Sequence, residues 1–175
     1  MTQAGNAVLI GMPGSGKTEL GRRAAKLLGA QFVDTDMAIE IIAGTSIAEI
    51  FASQGEAAFR RMETETITDL HGAYDTPCLV ATGGGVVTVP ENLPLLQMLG
   101  TVVYIRRDFD AIASGVTYGA DRPLLTDPSA LETLWASRKE LYESWADRTF
   151  AVIEGEAIGD AAARLAKTIA EGNVS

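Results

Sequence analysis

A chain of 175 residues has room for one well-cored domain and is short for two. Its 14 Lys and Arg against 23 Asp and Glu leave a net charge of −9, which argues against a nucleic-acid partner that would call for a basic face. The single cysteine, Cys78 in the apolar run Pro77-Cys78-Leu79-Val80-Ala81, excludes a disulfide framework and a cysteine-based metal site, and points to a reducing compartment. Met1–Asn6 has neither a basic n-region nor a long apolar stretch, and no apolar run approaches a membrane span. A soluble, cytoplasmic, single-domain protein is therefore expected.

Ala7–Ile10 reads as a buried strand. Gly11-Met12-Pro13-Gly14-Ser15-Gly16-Lys17-Thr18 follows and fits the phosphate-loop pattern G-x-x-x-x-G-K-[ST], between a strand and a helix over Lys17–Leu28 that Gly29 closes. The residue types suit the chemistry. Glycines let successive N–H groups point inward at an anion, and the helix N-terminus adds its positive dipole. Lys17 can reach the outer phosphates, and the Thr18 hydroxyl can ligate Mg²⁺. An ordinary Gly-rich turn is the plain alternative, but the flanking strand and helix favour a nucleoside triphosphate site.

Gln31–Asp34 is a second strand, ending in Asp34-Thr35-Asp36, with a helix from about Met37 to Ala43. Ser46-Ile47-Ala48-Glu49 looks like a capping box opening a short helix to Ser53, and a longer helix runs from Glu56 to Leu70. Cys78–Ala81 is a third strand, leading into Gly83-Gly84-Gly85. A helix from Pro90 to Leu99 precedes the β-branched strand Thr101–Ile105, and Asp108 caps a helix towards Gly115. From Thr117 to Asp127 the pattern lapses. A long helix over Ser129–Arg148, a strand over Phe150–Ile153 and a helix over Asp160–Glu171 complete the chain. Alternating strands and helices imply a three-layer α/β/α domain with a central, five-stranded parallel sheet. Ligands in such sheets sit beyond the carboxyl ends of the strands, where the phosphate loop, Asp34/Asp36 and Gly83–Gly85 all fall.

Asp34 and Asp36 lie two apart. In an extended segment both would face the γ-phosphate, one steadying a metal's water shell and the other accepting a proton from an attacking hydroxyl. Helix capping is the bland alternative. Arg60 and Arg138, mid-helix, read by themselves as solvated surface residues. Three consecutive glycines after a strand are usually justified by close backbone approach to a ligand. Arg122, in Arg122-Pro123-Leu124-Leu125, belongs either to a mobile lid over the phosphates or to an inert loop.

Taken together, the phosphate loop, Asp34-Thr35-Asp36, Phe59-Arg60-Arg61-Met62-Glu63, Gly83-Gly84-Gly85, Arg122-Pro123-Leu124-Leu125 and Arg138-Lys139-Glu140-Leu141-Tyr142 resemble shikimate kinases in order and spacing, over roughly Val8 to Ala151. The resemblance implies a P-loop kinase fold like that of nucleoside monophosphate kinases, and ATP-dependent phosphorylation of the 3-hydroxyl of shikimate. It further implies that Gly14, Ser15, Gly16, Lys17, Thr18 and Glu19 cradle ATP, that Thr18 ligates Mg²⁺ with Asp34 in its outer sphere, and that Asp36 binds shikimate hydroxyls and acts as base. Arg60 and Arg138 would grip the substrate carboxylate, held by Glu63 in the case of Arg60, while Gly83, Gly84 and Gly85 line the pocket. Arg122 would be the lid arginine, within a lid over about residues 115–127; substrate-binding helices would span about 36–62.

The chain departs from the family pattern where members commonly stack an arginine on adenine, since Ser114-Gly115 stand there, and Glu154-Gly155-Glu156 is acidic where a basic residue is common. Two alternatives stay open: a kinase of another small hydroxy acid such as gluconate, and a degenerate nucleotide-binding module. A monomer is the default, for want of a heptad seam.

Overall fold

The structure, a computed structural model, describes residues 6–119 and 121–171. The strands β1 (Ala7–Ile10), β2 (Gln31–Asp34), β3 (Cys78–Ala81), β4 (Thr101–Arg106) and β5 (Arg148–Ala151) form one parallel sheet in the order β2-β3-β1-β4-β5. Every residue of β1 and β3 is buried, as a parallel strand covered on both faces requires. The helices are α1 (Lys17–Leu28), α2 (Thr35–Ala43), α3 (Ile47–Gln54), α4 (Glu56–Asp69), α5 (Asn92–Leu99), α6 (Phe109–Gly115), α7 (Pro128–Trp145) and α8 (Ile158–Glu171).

Successive strand residues point to opposite faces, and the sheet thereby makes two cores. Val8, Ile10, Val80, Val102 and Tyr104 pack with Ile67 of α4, Leu96 of α5 and Leu131 and Tyr142 of α7. Ala7, Leu9, Leu79, Val103 and Ile105 pack with Leu20 and Ala24 of α1 and Leu165 and Ile169 of α8. The result is the expected α/β/α layering. A third cluster, Ile39, Ile50 and Phe59, joins α2, α3 and α4 beside the sheet. The chain leaves β1 toward β2 on one side and leaves β3 toward β4 on the other. The carboxyl ends of these two neighbours therefore open into a crevice, which is where open α/β sheets take ligands.

Several boundaries differ from the sequence reading. The long helix stops at Trp145 rather than Arg148, and the last strand starts at Arg148 rather than Phe150. Asp147 explains both: its N–H donates to the Val102 carbonyl at 2.9 Å and its carboxylate accepts from the Val102 N–H at 2.8 Å, pulling the chain out of the helix and onto β4. α2 begins at Thr35, because the Asp34 carboxylate caps it by accepting from the N–H groups of Asp36 and Met37. α5 and α8 begin at Asn92 and Ile158 instead of Pro90 and Asp160, and an unforeseen 3₁₀ turn covers Val86–Thr88. Asp108 precedes α6 but makes no capping bond through its side chain. The Ser46–Glu49 capping box forms as read. Among the described residues no helix is long and apolar enough to cross a membrane.

Candidate active site

The loop between β1 and α1 curls because Gly14 and Gly16 adopt φ of +80° and +94°, a left-handed backbone that side-chain-bearing residues rarely take. Gly16 occupies the N-cap of α1 without a capping side chain, so the first amides of the helix point into the crevice. Lys17 is buried, and its Nζ donates to the carbonyl oxygens of Gly11 and Met12, both at 2.8 Å, and more weakly to Ser15 Oγ at 3.5 Å. Burial lowers its pKa to about 8, against the pull of Asp36 and Asp34, while Arg138 pushes the same way as burial. Thr18 Oγ1 donates to Asp34 Oδ2 at 2.6 Å. Asp34 therefore caps α2 with one oxygen and holds Thr18 with the other.

Asp36 does not stand in an extended segment beside Asp34, as their spacing suggests; it lies in the first turn of α2. Both carboxylates nevertheless line one cavity of about 520 Å³, because α2 starts at the mouth of the crevice. Burial, and then the charge of Asp34, raise the Asp36 pKa to about 6, with Lys17 and Arg60 holding it down. Its Oδ1 has no hydrogen-bond partner although it is buried.

Across the cavity, Arg60 of α4 donates from Nη1 to Glu63 Oε2 at 2.9 Å and from Nη2 to Glu56 Oε1 at 3.1 Å. Burial works against its charge, yet Glu63 and Glu56 keep its pKa above the ordinary value. Glu63, one turn on and fully buried, is pushed up to about 7 by burial against the pull of Arg60. Arg138 of α7 is buried, with Nε unpartnered; Glu63 Oε1 is unpartnered too. Three buried polar atoms on three helices thus lack partners here: Asp36 and Arg138 line the cavity, and Glu63 lies behind it against Gly83. Each such group costs about 1–3 kcal/mol, so a ligand with hydroxyls and an anionic group is the fitting complement.

The glycine triplet makes this convergence possible. A Cβ on Gly83 would meet Asp36 Oδ1 at 2.6 Å and Glu63 Oε1 at 2.8 Å, one on Gly84 would meet Pro13 Cδ at 2.6 Å, and one on Gly85 would overlap the Arg60 guanidinium. Gly84→Ala is expected to push Pro13, and the phosphate loop with it, out of place. A displacement near 1 Å costs on the order of 10²-fold, read as the loss of kcat/KM with nucleotide varied; kinetics like wild type would show that the loop absorbs the methyl.

The residues singled out from sequence as nucleotide-, substrate- or metal-binding line this cavity except Ser15, which is buried in the loop; Glu63, singled out as the support of Arg60, is buried behind the wall. Arg122 sits exposed at its rim, next to Pro123 and Leu124. The sequence reading missed the apolar wall of Ile47, Phe51, Phe59 and Leu134, and the Gly83 N–H bond to Thr35 Oγ1 at 3.3 Å. The apolar wall carries no local signal, since these residues read equally well as core. The acidic stretch after β5 is neutralised: Glu154 accepts from Arg107 Nε and Nη2 at 2.8 and 2.9 Å, Glu156 accepts from Arg164 Nη2 at 2.7 Å, and Arg107 Nη1 donates to the Gly14 carbonyl at 3.3 Å. No cluster of three His, Cys, Asp or Glu suited to a metal occurs among the described residues.

Residues 13–170 match the family model for shikimate kinase. A shikimate kinase of Xylella fastidiosa (strain M12) is 42% identical over 150 residues, 84% of this chain and 82% of that protein. One from Halorhodospira halophila is 41% identical over 166 residues, 93% and 90% of the two chains. Among solved structures, the shikimate kinase of Acinetobacter baumannii in complex with shikimate superposes with a TM-score of 0.90 at 32% identity, covering 99% of this chain and 97% of the other. The enzyme from Aquifex aeolicus does so with a TM-score of 0.81 at 30% identity, covering 96% and 97%.

Proposed function

The chain belongs to the shikimate kinase family, and on that premise we propose that it transfers the γ-phosphoryl group of ATP to the 3-hydroxyl of shikimate, giving shikimate 3-phosphate and ADP. The observation that carries the reading is one cavity in which a phosphate loop meets a buried carboxylate and two arginines. Phosphoryl transfer asks for positioning and charge neutralisation more than for covalent chemistry. Gly14–Thr18 and Glu19 would hold the triphosphate, with Lys17 exchanging its loop carbonyls for phosphate oxygens. Arg122, from the lid segment 115–127, would cover them. Asp36 would orient the attacking hydroxyl and take its proton; a raised pKa near 6 suits a base working near neutrality. Arg60 and Arg138 would grip the carboxylate through planar forks, with helices over about 36–62 forming the rest of the pocket.

The paired oxygens of Thr18 and Asp34 suit a magnesium ion, Thr18 as ligand and Asp34 through water. Such an ion supplies positive charge to the phosphates. A reducing, cytoplasmic compartment fits a buried, free Cys78 whose thiol burial pushes up to about 11, and a monomer stands as the default.

A coupled assay of ADP release with shikimate, quinate and gluconate tests the assignment. Rapid release with shikimate alone is expected. Release with gluconate instead would move the substrate class, and none with any acid would leave a nucleotide-binding module.

A further inference from the structure

Tyr142 is fully buried on α7, one turn beyond Arg138. Its hydroxyl donates to the Gly84 carbonyl oxygen at 2.5 Å and lies 3.8 Å from Met12 Sδ. Its ring stacks on Tyr104 of β4, with 5.3 Å between centroids and 20° between planes. The phosphate loop, the glycine triplet and α7 therefore meet at a single phenolic oxygen. Phenylalanine would fill the same space and keep the same stack, so packing does not account for the hydroxyl. Burial raises its pKa, which keeps it a donor at every working pH.

The Gly84 peptide it holds has two dependants. Pro13 packs against Gly84 from the phosphate-loop side, and Arg60 lies against Gly85 from the other. The phosphate loop has anchors of its own, the Ser15 N–H to the Met12 carbonyl at 3.1 Å and the Lys17 bonds. The glycine triplet under Arg60 is otherwise held at its ends, by the Gly83 N–H to Thr35 Oγ1 and the turn bonds from Val86 to the Gly83 carbonyl and from Thr88 to the Gly85 carbonyl, none of which reaches the Gly84 carbonyl.

We propose that Tyr142 is a positioning residue: its hydroxyl fixes the Gly84 peptide, and so the floor on which the Arg60 guanidinium is aimed at the acceptor. This rests on the reading of the cavity as the shikimate and ATP site. Glu56 and Glu63 tether the Arg60 guanidinium, and Gly85 sets its tilt toward the acceptor; with the Gly84 carbonyl unpinned, Gly85 shifts and that tilt is lost, while the nucleotide cradle stays in place.

Steady-state kinetics of wild type, Tyr142→Phe and Tyr104→Phe with shikimate and ATP varied in turn test it. Y142F is expected to raise the KM for shikimate about tenfold, the effect of one hydrogen bond of about 1.4 kcal/mol, with the KM for ATP nearly unchanged. Y104F, which removes the partner hydroxyl from the same stack, is expected to leave both constants alone. An unchanged shikimate KM in Y142F overturns the proposal. So does an equal rise in both KM values, the same rise in Y104F, or a Y142F chain that does not fold, since each makes the residue a packing element. A wild type without shikimate-dependent ADP release would instead remove the functional reading, and this inference with it.

Discussion

Asparagine in place of Asp36 is expected to lower turnover on the order of 10²–10⁴-fold while leaving ATP affinity close to wild type. The side chain keeps its size and its place in the first turn of α2, and neither α1 nor the glycine backbone depends on it. What disappears is a group able to take a proton. The pH profile separates this from simple mispositioning. Asp36 must be ionised to act, and its pKa stands near 6, so kcat/KM should fall as pH drops through about 6 and level off above it. Lys17 must be charged to meet phosphate, and its pKa stands near 8 in the free protein, so the same profile should fall again as pH rises through about 8. Bound triphosphate places negative charge beside Nζ and raises that pKa, so kcat at saturating ATP should keep the acid limb and lose the alkaline one. Residual D36N turnover should lack the acid limb. Wild-type turnover in D36N would remove Asp36 from the mechanism.

Arg138→Lys is expected to raise the KM for shikimate about 10- to 100-fold, with a much smaller change in kcat. The guanidinium is buried with one nitrogen unpartnered, whereas lysine offers a point charge on a flexible stem. Arg60→Lys should be milder, because Glu63 and Glu56 already hold the position and would hold an ammonium as well. Titration of each variant with shikimate checks the order. An unchanged KM in R138K would dismiss the two-arginine clamp.

The parts legible in the sequence are those where a local rule acts without competition. The phosphate loop announces itself because few residue types can turn the backbone that way and still present amides and a lysine. β1, α1 and β3 match their expected bounds because buried parallel strands are short apolar runs and Gly29 ends α1; β2, only partly buried, ends where Asp34 caps α2. The end of α7 was not legible, since nothing near Trp145 stops a helix; Asp147 does so by bonding to Val102, distant in sequence. Asp34 and Asp36 come together by a geometry other than the extended one their spacing suggests. Both face the cavity, but through a helix cap and a first turn instead of a strand. Tyr142 was visible as part of a motif, yet its task is set by Gly84, far off along the chain, and no local pattern encodes such a bond.

The unmet polar atoms around the cavity also bear on how this domain would respond to selection for heat resistance alone. Asp36 Oδ1, Glu63 Oε1 and Arg138 Nε are held out of water without partners, and replacing such a buried polar set together by apolar residues of similar volume is often neutral or stabilising, whereas losing Glu63 alone would strand Arg60. A laboratory lineage screened only for survival at high temperature should therefore lose these residues as a group and become a sturdier, silent protein. Their persistence in the natural chain records a compromise between durability and work.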